Sequence, residues 1–353
     1  MNRALLVAVA AAAMAVGAGT VANAATADQG RAASMTGVRV GPASSLVTAE
    51  NERGDVTGAY DGWNRAFVWH KGVFTDLGLL SGTSSAYSTA INDSGDVVGY
   101  GLSSTVYVYE GFEWHDGKLT ALPSLGGSSY PAAIDDKGEI AGTAADGNGG
   151  SHAVIWQNGK LTVLPGLGGT DDGVGRMNQA GQIIGYSGGD AVLWTDGKPT
   201  DLGVGYAEAL NNRGQVILEY TDGSGVVDYF LYDHGRKTAL PAGDVASALN
   251  DEGQIIGSYT PAGASTQHGF VWRDGKQTDL GAGVSPAAIN DRGQILVDTD
   301  DNGVYGAEIL GHGHSITLTT PDGPSATAGL LTQNGFVAGT DEATAGAMEW
   351  DVR

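Results

Sequence analysis

A segment of about 40 residues recurs eight times along this chain, and this repetition constrains the fold more than any other feature. The sequence AINDSGDVVGY at 90–100 returns as ALNDEGQIIG at 248–257 and as AINDRGQIL at 288–296. Such a unit can bury its apolar face only against neighbouring units, so a repeat architecture is expected. The Asn slot holds Asn51, Asn92, Asp135, Asn178, Asn211, Asn250, Asn290 and Thr332, and a Gly follows three residues later in each unit.

A second element, typified by AFVWHKG at 66–72, follows each first one. Its Trp slot holds Trp69, Trp114, Trp156, Trp194, Tyr232, Trp272, Leu310 and Trp350. Both elements end in short polar turns with Gly, which is typical of tight hairpins because Gly accepts a positive φ. Each unit is therefore predicted to hold four short antiparallel strands, the content of one propeller blade. We expect the Trp slot to serve packing between blades.

The predicted fold is all-β, an eight-bladed β-propeller of four-stranded blades. The eighth unit ends soon after Trp350 and lacks a fourth strand, whereas the segment 36–42 before the first unit resembles one. An N-terminal strand near Val38 is expected to close the last blade, because closure removes two exposed sheet edges. Seven blades is the alternative, if the short fourth unit or the degenerate eighth unit is only part of a blade.

The N-terminus has the features of a secretory signal peptide: a basic start at Arg3, an apolar run over 4–17 and an Ala-Asn-Ala site at 22–24. We predict a signal peptide over 1–24 with cleavage after Ala24, a short linker over 25–36, and one repeat domain over 37–353. No later apolar run approaches the length of a membrane helix, so no membrane span is expected. We expect a secreted, monomeric protein.

The charge balance restricts the partners. The chain has 18 Lys and Arg against 40 Asp and Glu, a formal net charge of −22. Nucleic acids and anionic membranes bind clustered Lys and Arg, so neither is expected as a partner. Neutral ligands, cations or basic partners fit better, although acidity also serves solubility alone. The chain has no Cys, which excludes a disulfide scaffold.

At these repeats the chain resembles the extracellular HAF-repeat family. The His-Ala-Phe-like slot reads RAF at 65–67, HAV at 152–154 and HGF at 268–270. The Asn-Asp-x-Gly element and the trailing Asp-Leu-Gly, as at 201–203, also match. The resemblance covers nearly the whole chain after Ala24 and implies an exported bacterial protein. It implies no activity, because the family has no catalytic residues to transfer.

Loop lengths separate the two faces of the predicted ring. The tight hairpins lie on one uniform face, and all length variation falls on the opposite, variable face, where binding usually occurs. Trp63 lies there, outside the repeat slot, and Tyr87, Tyr130 and Tyr206 share a slot five residues before the Asn. These four residues are candidate stacking platforms for sugar rings of an extracellular glycan. Covering the rim of the core is their alternative role.

A second candidate site is the sequence DTDDNG at 298–303, which matches the first half of a calcium loop. Asp298, Asp300 and Asn302 would be the ligands. The twelfth position is Ile309 rather than a bidentate Glu, so a solvated acidic loop without any cofactor is the favoured interpretation. The histidines do not group in a way typical of zinc sites.

Two functions fit this pattern. The first is a non-catalytic extracellular binding or scaffold module whose ligand is a glycan or another extracellular partner such as a protein. The alternative is a polysaccharide hydrolase or lyase with a central carboxylate site on the variable face. Its acids would come from different blades, for example Asp61, Asp146, Asp190 or Asp300. The repeat is broken only modestly and at scattered positions, which favours binding over catalysis.

Overall fold

The computed structural model describes residues 33–241, 243–301, 304–311, 313–323 and 326–353. The predicted signal peptide over 1–24 and the first part of the predicted linker lie outside the described residues. The described chain consists of strands and connecting turns, 33 strands in all. In this part of the chain, no helix is long and apolar enough to cross a bilayer.

The strands form eight sheets that follow one another along the chain, which confirms eight blades and excludes seven. Blade one is β3 (Leu46–Glu50), β4 (Val56–Tyr60), β5 (Arg65–His70) and β6 (Val73–Asp76); blade two is β7 (Tyr87–Ile91), β8 (Val97–Leu102), β9 (Tyr109–His115) and β10 (Lys118–Ala121). Blade three is β11 (Gly126–Ile134), β12 (Ile140–Asp146), β13 (Ser151–Gln157) and β14 (Lys160–Val163); blade four is β15 (Asp172–Met177), β16 (Ile183–Ser187), β17 (Asp190–Thr195) and β18 (Lys198–Val204).

The second half of the ring repeats this plan. Blade five is β19 (Tyr206–Leu210), β20 (Val216–Thr221), β21 (Val227–Asp233) and β22 (Arg236–Ala239); blade six is β23 (Val245–Leu249), β24 (Ile255–Tyr259), β25 (His268–Arg273) and β26 (Lys276–Ala282). Blade seven is β27 (Val284–Ile289), β28 (Ile295–Asp301), β29 (Val304–Gly311) and β30 (His314–Thr319); blade eight has β31 (Ala326–Leu331), β32 (Phe336–Asp341) and β33 (Gly346–Asp351). The first strands of neighbouring blades contact one another, so they surround the axis of the ring.

The N-terminal segment completes the ring, as predicted. Strand β2 (Val38–Arg39) pairs antiparallel with β33, placing Val38 opposite Glu349. A further strand, β1 (Ala33–Thr36), pairs parallel with β30 and adds a fifth strand to blade seven. The predicted linker over 25–36 thus includes four residues that belong to a sheet. Together, β1 and β2 join the outer edges of blades seven and eight.

The Trp slot packs between blades, as predicted. Trp156, Trp194 and Trp350 are buried, and each indole N–H donates to a backbone carbonyl near the end of the preceding blade. The acceptors are Pro123, Pro165 and Thr319, at 2.7, 2.8 and 2.7 Å. A buried indole N–H needs such a partner, so these bonds satisfy the tryptophans and fix the spacing of the blades.

The Asn slot links six of the eight blades to the next one through a side-chain amide. In blade two, Asn92 Oδ1 accepts the N–H of Asp96 at 2.9 Å, while its Nδ2 donates to the Asp135 carbonyl of blade three at 3.1 Å. The same bond, from the side-chain amide to the backbone carbonyl of the Asn slot in the next blade, is made by Asn51, Asn178, Asn211, Asn250 and Asn290. Asp135 and Thr332 lack the amide and do not make it.

The residue after each Asn slot forms a second inter-blade link, and this one closes a complete circuit. Its backbone N–H donates to a side-chain oxygen of the matching residue in the next blade, with donor–acceptor distances of 2.5–3.0 Å. In order, the residues are Glu52, Asp93, Asp136, Gln179, Asn212, Asp251, Asp291 and Gln333, and then Glu52 again. A central cavity of about 210 Å³ lies inside this circuit, lined by Gln179, Asn212, Asp251 and Gln333 among others.

Candidate functional site

The turn between β4 and β5 presents Trp63 on the variable face. Asp61, Gly62 and Trp63 all have positive φ, which is 72° at Trp63. A left-handed backbone costs an ordinary residue about 1–2 kcal/mol, so the fold holds this turn against a local preference. The turn is tied down by Asn64, whose Nδ2 donates to the Asp61 carbonyl at 3.0 Å and whose carbonyl accepts the Ala86 N–H at 3.0 Å. The Trp63 side chain stays 57% exposed.

Trp63 is the first of a continuous row of rings. It stacks on Tyr87 with ring centroids 6.4 Å apart and an interplanar angle of 25°. Tyr87 contacts Tyr100 at 5.5 Å, and the two residues are register partners on β7 and β8. Tyr100 also contacts Tyr130 of blade three, at 5.3 Å. The row therefore begins in blade one, crosses blade two and reaches blade three.

Two further tyrosines enlarge the row. Tyr109, at the start of β9, contacts Tyr100 at 5.5 Å and Tyr130 at 5.4 Å. Tyr107, in the loop before β9, contacts Tyr109 at 6.2 Å and is 85% exposed. We call Trp63, Tyr87, Tyr100, Tyr107, Tyr109 and Tyr130 the aromatic surface. Distances and tilts of this kind are those of favourable ring pairs.

The ends of the strands explain why these rings meet. Strand β7 starts at Tyr87 and runs toward the Asn turn, so Tyr87 lies at the opposite, variable end of blade two. Strand β8 returns to that end with Tyr100 near its last residues, and β9 leaves it with Tyr109 as its first residue. The hairpin geometry thus brings three tyrosines of one blade to the same end, as required by antiparallel pairing.

The hydroxyls of Tyr87, Tyr100 and Tyr109 stay neutral over a wide pH range. Burial raises the pKa of Tyr100 to about 12, and the surrounding Tyr87, Tyr109 and Tyr130 act in the same direction. Burial also raises the pKa of Tyr87, and the pKa of Tyr109 is raised by burial and by a hydrogen bond with Tyr107. The surface therefore offers uncharged π-faces together with hydroxyls that donate hydrogen bonds.

The structure brings three of the four predicted stacking residues together and separates the fourth. Trp63, Tyr87 and Tyr130 belong to the aromatic surface. Tyr206 begins β19 in blade five, is 59% exposed, and takes no part in the ring contacts that join the other three.

Three residues of the surface were missed from the sequence: Tyr100, Tyr107 and Tyr109. The sequence YGLSSTVYVY at 100–109 could have indicated them, because it places three tyrosines in and beside the segment of blade two that departs most from the repeat.

The first four residues of the predicted calcium motif, 298–301, are the end of strand β28. Asp298 and Asp300 are on β28, where Asp298 is opposite Ala307 of β29, and Asn302 lies outside the described residues. Asp298 Oδ1 accepts the Ala328 N–H of blade eight at 3.3 Å, and burial raises the pKa of Asp298 to about 6. A calcium loop instead bends its oxygens around one point. Calcium binding here stays an untested hypothesis.

The carboxylates proposed for catalysis belong to four separate blades: Asp61 to blade one, Asp146 to blade three, Asp190 to blade four and Asp300 to blade seven. Asp61 is in the strained turn of blade one, and Asp190 begins β17 of blade four. Asp146 closes its own turn, accepting the N–H groups of Asn148 and Gly150 at 2.8 and 3.0 Å, and these bonds lower its pKa. A lowered pKa does not suit a general acid. Within the described residues, no three Asp, Glu or His side chains gather as metal ligands.

No protein-family model matches the chain, and no curated protein sequence matches it. Solved structures similar to it include β-propellers. YCF48, in a structure with a bound D1 peptide, has a TM-score of 0.50 at 10% identity, covering 90% of this chain and 96% of that one. The β-propeller domain of the trilobed protease from Pyrococcus furiosus, which has an open velcro topology, has a TM-score of 0.47 at 9% identity, covering 77% and 97%. At 10% identity, the similarity to YCF48 shows the β-propeller fold alone.

Proposed function

We propose that this chain is a secreted, non-catalytic recognition module that binds a neutral extracellular glycan on the aromatic surface. The observation that carries this proposal is the continuous row of ring contacts from Trp63 through Tyr100 to Tyr130. Trp63 and Tyr107, the two outer members of the aromatic surface, are exposed to solvent. A contiguous aromatic surface of which Trp63, Tyr107 and Tyr130 are exposed is typical of a binding site.

The chemistry of the aromatic surface suits sugars. The C–H groups on one face of a pyranose ring carry partial positive charge and lie well against the negative π-face of Trp or Tyr. The hydroxyls of Tyr107, Tyr109 and Tyr130 add hydrogen-bonding groups at the ring edges. A neutral glycan is favoured over an anionic one because the chain has a net charge of −22.

A rigid scaffold also supports binding. The Asp61–Asn64 turn is tied to blade two through the Ala86 N–H, so Trp63 is held against Tyr87 before any ligand arrives. A preformed surface loses less conformational entropy on binding than a mobile one. The strained φ of Trp63 is consistent with this role, because strain is commonly retained where function requires a side chain in one place.

Export and family membership are parts of the same proposal. The basic and apolar start of the chain and its Ala-Asn-Ala site support secretion. The repeated Asn-Asp-x-Gly and Trp elements support membership of the HAF-repeat family. Both fit an acidic, Cys-free protein that meets its ligand outside the cell.

The test is a fluorescence titration of the mature protein, residues 25–353, with soluble neutral polysaccharides: a β-1,3-glucan, a β-1,4-glucan, a mannan and a galactan. We expect at least one of them to change tryptophan emission with saturation, and Trp63→Ala to abolish the change. Tyr206→Ala is the matched control, since it removes an exposed ring outside the aromatic surface. No saturable change with any polysaccharide, or release of reducing ends during incubation, would overturn the proposal. Binding of a peptide instead of any polysaccharide, as in the structure of YCF48 with a bound D1 peptide, would also overturn it.

A further inference from the structure

A buried carboxylate interrupts the apolar repeat pattern in blade one. The residue just before the Asn slot is apolar in seven blades: Ile91, Ile134, Met177, Leu210, Leu249, Ile289 and Leu331. In blade one this residue is Glu50. Both carboxylate oxygens of Glu50 are buried, and neither has a hydrogen-bond partner among the residues the structure describes. An unpaired buried carboxylate is costly when ionised, so its place in the fold requires an explanation.

A second buried glutamate lies in blade eight, on strand β33, which contacts the strand that ends at Glu50. Glu349 precedes Trp350 on β33, and the residue is only 6% exposed. Its Oε1 lies against Gly54 of blade one, so close that a Cβ on that glycine would be 2.6 Å from it. Strand β3, which ends at Glu50, packs on β31, β32 and β33. The two glutamates therefore lie in the seam between the last blade and the first.

The charges around the pair do not neutralise it. The groups that act on Glu50 are Glu349 and Glu52, and both are acidic. Asp351 and Asp55 oppose ionisation of Glu349, and Arg353 alone favours it. Arg353 is also committed to Asp351, to which its Nε donates at 2.7 Å.

The other strands of the seam supply no free cation. Strand β31 contains no titratable residue, and Asp341 at the end of β32 pairs with Arg39 at 2.8 Å. In blade one, Arg53 and His70 both contact Asp55. These contacts engage Asp55, whereas Glu50 and Glu349 form no ion pair with any of the described residues.

Glu349 lies beside the strand pairing that closes the ring. The backbone of Glu349 is opposite Val38 of β2, the strand that completes blade eight. Next to it, the Trp350 indole donates to Thr319, whose carbonyl also accepts the Gly37 N–H at 2.9 Å. Glu349 thus has its side chain in the seam toward blade one and its backbone paired with the strand that completes the ring.

We propose that Glu50 and Glu349 form a proton-controlled latch, in which protonation holds the seam between blades eight and one closed and ionisation loosens it. The β1–β2 segment is the element released when the latch opens. A weakly acidic medium thus tightens the ring, and a neutral or alkaline medium frees the N-terminal strands.

The direction follows from the two pKa values. Burial, with Asp351 and Asp55, raises the pKa of Glu349 from 4.5 to about 7, and burial with Glu349 raises that of Glu50 well above 4.5. The closed seam therefore binds protons more tightly than the open one. Its extra stability is complete below about pH 4.5 and is lost as the pH rises through about 7.

Hydrogen exchange of the mature protein, read by mass spectrometry at pH 5 and pH 8 and corrected for intrinsic exchange, tests the latch. Peptides covering 33–41 and 346–353 should lose protection at pH 8 by roughly tenfold or more, while peptides of blades three to five should not. Glu50→Leu, which restores the residue type of the other blades, should reduce the pH dependence of seam protection, while Glu349 keeps its own part of the response.

Further variants keep the test decisive. Glu349→Gln should also reduce the pH dependence, and it serves as the test if Glu50→Leu fails to fold; the double variant Glu50→Leu, Glu349→Gln should abolish it. Glu113→Gln is the matched control, because Glu113 fills the Glu349 slot in blade two, away from the seam, and burial raises its pKa as well. The control should keep the wild-type response at 33–41. Equal seam protection at both pH values in the wild type, or a wild-type response in both seam variants, would overturn the proposal.

Discussion

The backbone N–H of Gln333 in blade eight donates to Oε1 of Glu52 in blade one at 3.0 Å, although 281 residues separate them along the chain. Glu52 Oε2 accepts the next N–H, that of Asn334, at 2.8 Å. This contact closes a circuit in which each blade holds its neighbour through the same pair of positions. The ring is thus closed near its axis by side chains and at its rim by strand β2.

Removing the Glu52 carboxylate should weaken the circuit where the chain closes. Glu52→Ala leaves two backbone N–H groups without charged acceptors, so we expect a loss of about 1.5–3 kcal/mol in the free energy of unfolding. Urea denaturation at pH 7 measures it. Glu252→Ala is the control, because Glu252 is an exposed glutamate in the equivalent turn of blade six whose carboxylate pairs with exposed Arg273 at 3.6 Å, and its change should stay within about 0.5 kcal/mol. Equal effects of the two variants would contradict a stabilising circuit.

Asp135 is the one acidic residue in the Asn slot, and replacing it should stabilise the protein. Asp135→Asn supplies the missing amide donor toward the Asn178 carbonyl and removes a charge that raises the pKa of Glu139. We expect a gain of about 0.5–1.5 kcal/mol in the free energy of unfolding.

The reverse change should act in the opposite direction. Asn92→Asp removes the donor to the Asp135 carbonyl and places a second carboxylate beside Asp96, which now accepts from Asn92 Nδ2 at 3.1 Å. We expect a loss of about 1.5–3 kcal/mol, measured by the same denaturation. A loss from Asp135→Asn, or no loss from Asn92→Asp, would show that the Asn slot does not stabilise the ring through its amide.

Calcium should leave the protein unchanged. The motif at 298–302 begins on an extended strand, and the Asp298 carboxylate already accepts a backbone N–H from blade eight. We therefore expect no calorimetric heat beyond dilution and no shift in melting temperature on adding calcium. A saturable heat that disappears in Asp298→Asn would instead establish a metal site.

Glycan affinity should change little between pH 5 and pH 9. The raised pKa values of Tyr87, Tyr100 and Tyr109 keep these hydroxyls protonated throughout this range. We expect dissociation constants within about twofold of each other across the range, from calorimetry at each pH. A steep change near neutrality would assign recognition to a titrating group outside the aromatic surface.

The blades were predictable from the sequence because their signals are local. Each Asn-x-x-Gly turn and each Trp slot reports on a few neighbouring residues, and repetition averages out degenerate cases such as Thr332 and Leu310. Strand β2 was also predictable, since the last unit lacked a strand that the segment near Val38 resembles. The parallel pairing of β1 with β30 was not predictable, because it depends on the chain passing the outer edge of blade seven before it reaches β2.

The site was only partly predictable, because it depends on position around the ring. The shared slot five residues before the Asn contains Tyr87 and Tyr130, which are in adjacent blades and both belong to the aromatic surface. The same slot also contains Tyr206, which lies in blade five. The slot alone does not show that Tyr100 and Tyr109 point toward Tyr130. The Glu50–Glu349 pair was invisible for a similar reason, since its members meet only when the ring closes.

The most direct test of the account is the affinity of the mature protein for a neutral polysaccharide that it binds, measured by calorimetry for the wild type and three variants. Trp63→Ala and Tyr107→Ala remove the two exposed ends of the aromatic surface, and each should weaken binding by roughly tenfold or more, about 1.4 kcal/mol. Tyr206→Ala should bind like the wild type. Full affinity in both Trp63→Ala and Tyr107→Ala, or loss of affinity only in Tyr206→Ala, would contradict the assignment of this surface as the binding site.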